Sequence, residues 1–289
     1  MGNLRYLNFS KTRICGIIPQ QLGNLSNLQF LDLSSKYLLY VDNFLWLSGI
    51  SLLEHLDLRY VNLSIAFDWL MVANKLLSLV ELRLSNCQLQ HFSPLATVNF
   101  SSLTMLDLSH NQFDNSFILS WVFALSHLPF LDLGFNNFQG TIDLEALGNL
   151  TSINRLDLSL NTGLTGRIPR SMALCNLKSI NLQESLDMRS SSIYGHLTDQ
   201  LGQFRNLVTF NLVNNSIVGF IPWSFELHIY DNKLNVTLFE LHFANLIEMS
   251  WFRVGGNQLT LEVKHDWIPH FQLVALGLHS CYIGSRFPL

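Results

Sequence analysis

The chain has 289 residues, 48% of them hydrophobic and 13% charged, with a formal net charge of −4. Its mean hydropathy is +0.25 and its isoelectric point about 6.2. That balance, with no lysine-rich or arginine-rich run, excludes an electrostatic footprint for nucleic acid or anionic lipid, and no apolar run reaches the ~18 residues that span a bilayer.

From the N-terminus onward one frame returns: Leu-x-x-Leu-x-Leu-x-x-(Asn or Cys)-x-Leu. It opens at Leu4, Leu28, Leu53, Leu79, Leu103, Leu128, Ile153, Leu177, Gln183, Leu207, Ser224, Met249 and Leu273, mostly 24 to 26 residues apart. A period of that length describes units of one short strand plus a return, none of which can bury its apolar face alone, so each must stack on its neighbours. About 12–13 such units fill residues 1–289 as a single array, with no second domain and no capping domains. Within Leu-x-Leu the period is two, so the leucines share the interior face and the x residues share the other. The x face is a concave, solvent-facing parallel sheet.

The slot after the strand holds Asn111, Asn136, Asn161, Asn215, Asn232 and Asn257, where a buried amide must pair with backbone groups of its own turn and the next. Cys87 and Cys281 occupy the same slot, as thiols of suitable size and weak donor strength. The four cysteines, with Cys15 and Cys175, lie in units that are not neighbours. Four unpaired, mostly buried thiols are therefore expected.

Several units continue as x-Leu-x-Gly-x-Ile-Pro: Ile14 to Pro19, Leu164 to Pro169 and Ile217 to Pro222, with weaker copies from Phe138, Ile193 and Ile283. The glycine suits a turn with permissive backbone angles. The proline closes the extended piece that follows and keeps it out of a central strand. A short helical or irregular return, such as Gln20 to Leu25, completes the unit. Two places break the rhythm: the frame reopens six residues after Leu177, and Leu207 is followed by Ser224 after 17. Irregular or shortened repeats are expected near 177–190 and 222–232.

Those phrases resemble the plant extracellular leucine-rich-repeat class, the ectodomains of plant receptor-like proteins and receptor kinases. Leu131 to Gly134, Ser190 to Gly195 and Trp251 to Leu259 are similar to the receptor-like proteins that perceive fungal ethylene-inducing xylanase. The resemblance implies an α/β-type leucine-rich-repeat solenoid: a curved right-handed superhelix with a concave parallel β-sheet and short irregular, 3-10 or helical convex segments. It also implies a ligand-recognition ectodomain of a cell-surface defence receptor on the extracellular side of the plasma membrane. Such a receptor binds a protein or peptide ligand and signals through a partner receptor kinase, the membrane being reached only through a C-terminal segment. Two other readings stand beside it: a secreted polygalacturonase-inhibitor-like protein, and a truncated paralogue without a ligand. The chain opens inside a unit at Leu4 and closes in a return segment, and so reads as a fragment without a signal segment, caps, anchor or kinase.

Motifs of hydrolysis, phosphate binding and thiol–metal chemistry are missing from the sequence, so no enzymatic activity, cofactor or metal is expected. The repeated Leu-Asp-Leu aspartates (Asp32, Asp57, Asp107, Asp132, Asp157) form a row, read as small polar residues suited to the solvent side of a strand. Ligand contact on the concave face is expected at Tyr6, Phe30, His55, Arg59, Tyr60, Arg83, His110, Phe135, Arg155, Trp251 and Arg253, since aromatic and arginine side chains dominate contact energetics. Seven Asn-x-Ser/Thr sequons mark Asn8, Asn24, Asn62, Asn99, Asn149, Asn214 and Asn235. Three of them, Asn24, Asn99 and Asn149, stand four residues ahead of a strand start.

Overall fold

A computed structural model describes residues 3–36, 38–90, 97–114, 121–161, 163–167, 177–183, 193–197, 208–219, 226–243, 251–264, 266–268 and 273–284. The chain divides into two compact units, Met1–Phe138 and Gln139–Leu289. Each is a parallel β-solenoid with little helix, the leucine-rich-repeat fold.

In the first unit six three-residue strands lie side by side in chain order: Tyr6–Asn8, Phe30–Asp32, His55–Asp57, Glu81–Arg83, Met105–Asp107 and Phe130–Asp132. All pairings are parallel, with Leu31, Leu56, Leu82, Leu106 and Leu131 in one register column. Those leucines are at most 1% exposed, and the flanking frame leucines, such as Leu28, Leu33, Leu53 and Leu58, are equally buried. At roughly 1.5–3 kcal/mol per buried side chain, these columns supply the main stabilisation of a turn.

The strands stop after three residues for a local reason. In four of the strands the third residue turns its side-chain oxygen onto the N–H two positions on: Asp32 to Ser34 at 2.9 Å, Asp57 to Arg59 at 3.0 Å, Asp107 to Ser109 at 3.1 Å and Asp132 to Gly134 at 3.0 Å. Such local side-chain bonds compete with continued sheet. Three residues past that aspartate the backbone enters the left-handed region, at Tyr60 (φ 68°), His110 (φ 53°) and Phe135 (φ 55°). The buried Asn or Cys slot follows. Asn111 accepts from the N–H groups of Cys87 and Leu89, both at 3.0 Å, and donates to the carbonyls of Leu84 (2.8 Å), Leu108 and Ser109. Asn136, Asn215, Asn232 and Asn257 repeat the pattern between their own turns. Cys87 keeps the donor half alone: its Sγ donates to Leu58 O at 3.1 Å.

Beyond the slot, and ahead of the short return, comes further pairing that the sequence reading did not foresee. The x-Leu-x-Gly-x segments pair with one another as secondary parallel sheets. In the first unit Gly16–Ile17 pairs with Leu39–Tyr40, and Tyr40 bridges to Asn62. In the second unit Gln139–Ile142, Gly163–Arg167, Ile193–Leu197 and Ser216–Gly219 form a four-stranded sheet, and Thr237–Leu238, Thr260–Leu261 and Tyr282–Ile283 a three-stranded one. Proline ends these strands without preventing them, because they need only the few donors that precede it. The motif glycines have positive φ at Gly16 (98°), Gly140 (91°) and Gly219 (99°), as the turn reading requires. Short helices close several turns: 3-10 segments at Gln20–Asn24, Leu45–Gly49, Leu144–Asn149 and Glu240–Phe243, and one α-helical turn and a half at Trp69–Ala73. Gly23 and Gly49 let two of them touch, since a Cβ on Gly49 would collide with Gly23 O.

The second unit carries the strands Arg155–Asp157, Ser179–Asn181, Thr209–Asn211, Glu226–His228, Trp251–Arg253 and Ala275–Gly277 in chain order. The frame placed at Gln183 runs through residues 184–192, which lie outside the described residues. Ser179 pairs directly with Thr209, 30 positions on. Thr209 then pairs with Glu226, 17 positions on, and the register is kept into Trp251–Arg253. Residues 184–192 and 220–225, where part of the expected irregularity falls, lie outside the described residues. Of the thiols, Cys87 is buried, Cys281 half-buried and Cys15 exposed, all unpaired. The expectation of mostly buried cysteines fails at Cys15, because the x-Leu-x-Gly segment puts that position on its solvent side; Cys175 lies outside the described residues.

Candidate functional site

The exposed side of the first unit's main sheet is built from the first and third strand positions and the left-handed turn beyond them. Neighbouring strands are ~4.8 Å apart, so identical positions on successive turns stand at contact distance. The column of first positions is Tyr6, Phe30, His55, Glu81, Met105 and Phe130. Tyr6 and Phe30 stack at 4.4 Å with planes 13° apart, and Phe30 meets His55 at 5.6 Å. His55 Nδ1 lies 3.5 Å from Glu81 Oε2, which also accepts from Arg83 Nη2 at 3.1 Å. Arg83 Nε points to Met105 Sδ at 3.2 Å. An aromatic run thus passes into an ionic one across five turns, with Tyr6 58% exposed at its end.

The turn column carries the other candidates. Arg59 is held by Asp57, its Nε 3.0 and 2.9 Å from the two carboxylate oxygens and its Nη2 at 2.7 Å. That hydrogen bond raises the guanidinium pKa. Tyr60 is exposed and carries the Lys36 ammonium 5.1 Å from its ring centroid. His110 and Phe135 stack at 4.1 Å and 15°. Left-handed backbone at non-glycine residues is uncommon, and here it turns three aromatic side chains outward on one column.

In the second unit Arg155 is exposed at a first position, while Trp251 and Arg253 pair on one strand with the guanidinium 4.8 Å from the indole. Two of the third positions are amides: Asn181 donates to Asp157 at 3.0 Å and Asn211 to Gln183 at 2.9 Å. The expected contact residues therefore fall into two separate groups, an aromatic and ionic one in the first unit and Arg155 with the Trp251–Arg253 pair in the second.

The aspartate row, expected on the solvent side of its strands, is committed to backbone N–H groups, with Asp32 and Asp57 buried. Among the described residues no group of three or more His, Cys, Asp or Glu is arranged to hold a metal, and no described helix is long and apolar enough to cross a membrane. Of the sequons, Asn8, Asn24, Asn99, Asn149 and Asn235 are exposed, Asn24 and Asn149 each ending a 3-10 segment. Asn8 stands on the main sheet and donates to Tyr6 Oη. Asn62 and Asn214 are half-buried, Asn62 accepting from Ser64 N–H at 2.9 Å. The sequence reading missed Lys11, Ser34, Ser35 and Lys36, which with Arg59 and Tyr60 line a cavity of about 360 Å³. Their common offset, just beyond the strand on three successive turns, was the available signal.

The Leucine Rich Repeat family model matches residues 3–25, 102–125 and 206–228. A stretch of 130 residues, 44% of the chain, is 39% identical to receptor-like protein EIX1 of Solanum lycopersicum and spans 12% of that protein. Among solved structures, the ectodomain of the membrane receptor kinase GASSHO1/SCHENGEN3 from Arabidopsis thaliana, in complex with CASPARIAN STRIP INTEGRITY FACTOR 2, superposes with a TM-score of 0.78 at 26% identity. It covers 99% of this chain, which covers 34% of it. The plant peptide hormone receptor RGFR1 in complex with RGF2 gives 0.74 at 25% identity, over 98% of this chain and 44% of that one. The chain carries leucine-rich repeats, is homologous to a tomato receptor-like protein, and has the fold of plant receptor ectodomains.

Proposed function

We propose that this chain is part of the ligand-recognition ectodomain of a plant cell-surface defence receptor. In this reading it binds a protein or peptide ligand on the exposed face of its main sheet and acts by binding, with signalling left to a partner receptor kinase. The observation that carries the reading is the Tyr6–Phe30–His55–Glu81–Arg83 row, solvent-facing contact chemistry laid over an otherwise uniform leucine stack. Aromatic and arginine groups supply the largest contact energies in recognition. The two superposed ectodomains are themselves complexes, one with RGF2 and one with CASPARIAN STRIP INTEGRITY FACTOR 2. An extracellular location on the plasma membrane follows from the same kinship, and the exposed sequons at Asn24, Asn99 and Asn149 suit N-glycans that leave the main sheet uncovered.

The test is binding of the full chain, secreted from plant cells, to a fungal ethylene-inducing xylanase by biolayer interferometry. Tyr6→Ala, Tyr60→Ala and Trp251→Ala are compared with Gln20→Ala and Glu145→Ala on the 3-10 segments. The sheet-face substitutions are expected to weaken binding at least tenfold and the others less than twofold. The reverse pattern, or no measurable binding by the intact chain, would count against the reading.

A further inference from the structure

We infer that the cavity formed by Lys11, Ser34, Ser35, Lys36, Arg59 and Tyr60 is a seat for a carboxylate of a bound peptide. The inference rests on the recognition reading of the sheet face and names part of the ligand's chemistry.

Three successive turns each bring one cation to this cavity, in a chain whose net charge is −4. The three are not equivalent. Arg59 is neutralised by Asp57, which it grips through Nε and Nη2. The nearby carboxylate of Asp32 is occupied by the Ser34 N–H at 2.9 Å. Lys11 and Lys36 have no carboxylate partner among the described residues, so the cavity keeps an excess of positive charge. Lys36 is not left to wander in solvent: its ammonium stands 5.1 Å from the Tyr60 ring centroid, an arrangement that holds a cation beside an aromatic face. Left-handed turns at Lys11 (φ 58°) and Tyr60 (φ 68°) set both side chains at the rim.

About 360 Å³ is at the small end of ligand cavities, enough for one or two residues and not for a large cofactor. The cavity also continues the aromatic run. His55 and Arg59 are on the same turn, four residues apart, which is roughly 10–13 Å along an extended backbone. An extended ligand with an aromatic residue on Tyr6 and Phe30 would place a residue three or four positions away over the two lysines. A carboxylate there meets two ammonium groups and the Ser34 hydroxyl, while an amide of the same shape meets them without charge. The carboxylate can come from an Asp or Glu side chain or from the ligand's own C-terminus.

Three fluorescein-labelled ten-residue peptides separate these cases, each with one Trp and a test residue four positions later. The first has Asp and an amidated end. The second has Asn there as its last residue with a free carboxylate. The third has Asn and an amidated end. Anisotropy titrations use the full chain, Lys11→Gln/Lys36→Gln, Lys11→Arg/Lys36→Arg and Lys233→Gln. At least tenfold tighter binding of the first or second peptide over the third is expected, and whichever wins identifies the source of the carboxylate. That preference should shrink with added salt, vanish in the Gln pair and persist in the Arg pair and in Lys233→Gln, with all variants melting alike. Equal binding of all three peptides, absence of binding by any, or a preference that survives in the Gln pair would overturn the inference. None of these would touch the Tyr6→Ala and Trp251→Ala arms of the xylanase test, whose residues do not line the cavity.

Discussion

Replacing Asn111 by Ala tests what holds one turn to the next. The Asn111 side chain is 7% exposed and makes five hydrogen bonds to backbone groups of two turns. Its Oδ1 is the acceptor for two buried N–H groups, of Cys87 and Leu89, each at 3.0 Å. Alanine leaves both unsatisfied, at about 1–3 kcal/mol each, less what water recovers in the small space vacated. A net loss of about 2–4 kcal/mol is expected. Amide hydrogen exchange reads it locally, which matters because repeat arrays unfold in parts and a single melting temperature averages over them. The Cys87 and Leu89 amides should exchange about two orders of magnitude faster in Asn111→Ala, at 1.4 kcal/mol per factor of ten. Asn111→Cys should recover part of the loss, because Cys87 in the same slot still donates to the previous turn's Leu58 O at 3.1 Å. It cannot recover the acceptor: where Cys87 stands, the previous turn's Leu63 N–H is satisfied by the Cys87 backbone carbonyl at 2.9 Å. Exchange at Leu89 within threefold of wild type in Asn111→Ala would refute the ladder as the element that binds successive turns.

Three further outcomes are expected. Gly49→Ala places a Cβ against Gly23 O, and should lower stability in denaturant unfolding by about 1–3 kcal/mol as overpacking does, whereas Gly148→Ala meets nothing within 4 Å and should be neutral or slightly stabilising. Burial pushes the Cys87 thiol well above its ordinary range, so the folded state holds the proton after the unfolded chain has lost it. The stability this contributes is complete below the unfolded thiol's pKa, about 8.5, and declines as pH rises above it. That alkaline decline should be smaller in Cys87→Ser, measured by urea unfolding from pH 7 to 10, and Cys15 should react with a thiol reagent in the native state while Cys87 does not. Leu160 holds a left-handed backbone (φ 56°) without a side chain suited to it. Leu160→Asn should raise the unfolding free energy by about 0.5–1 kcal/mol, and a loss would mean that Leu160 packing outweighs the backbone term.

Much of the scaffold was legible because it is written in single-residue columns. Leucine at Leu28, Leu31 and Leu33 predicts its own burial, and Asn at Asn111 predicts its own ladder. What depended on pairing between turns was harder. The secondary sheets were missed because x-Leu-x-Gly-x has no run of alternating apolar residues and its proline argues against a strand, yet the few residues before Pro19 pair all the same. The frame spacing gives no hint that Ser179 pairs with Thr209, 30 positions on, and Thr209 with Glu226 after only 17. The exposed aromatic candidates were found by residue type. That His110 and Phe135 occupy a left-handed turn, and that Lys11, Lys36 and Arg59 converge, required knowing which residues 23 to 25 apart come to lie side by side.

This division has a physical origin. The Asp or Asn at a third strand position and the Asn slot are consumed by the backbone, so mutating them costs stability. The first strand position and the left-handed turn carry no backbone duty beyond their own φ, and their side chains meet mainly the same or the adjoining position one turn away: Tyr6 with Phe30 at 4.4 Å, His110 with Phe135 at 4.1 Å, Tyr60 under Lys36 at 5.1 Å. A substitution in these columns therefore acts on its neighbour above or below before it acts on the fold. Tyr6→Ala removes a stacking contact worth about 0.5–1.5 kcal/mol at most, already diluted by solvent, yet strips the exposed end of the recognition row. Stability and binding are thus separable by column, and a pair such as Tyr6→Ala with Phe30→Ala should be non-additive in ligand affinity while either one combined with Phe135→Ala, which shares no contact with that run, should be additive.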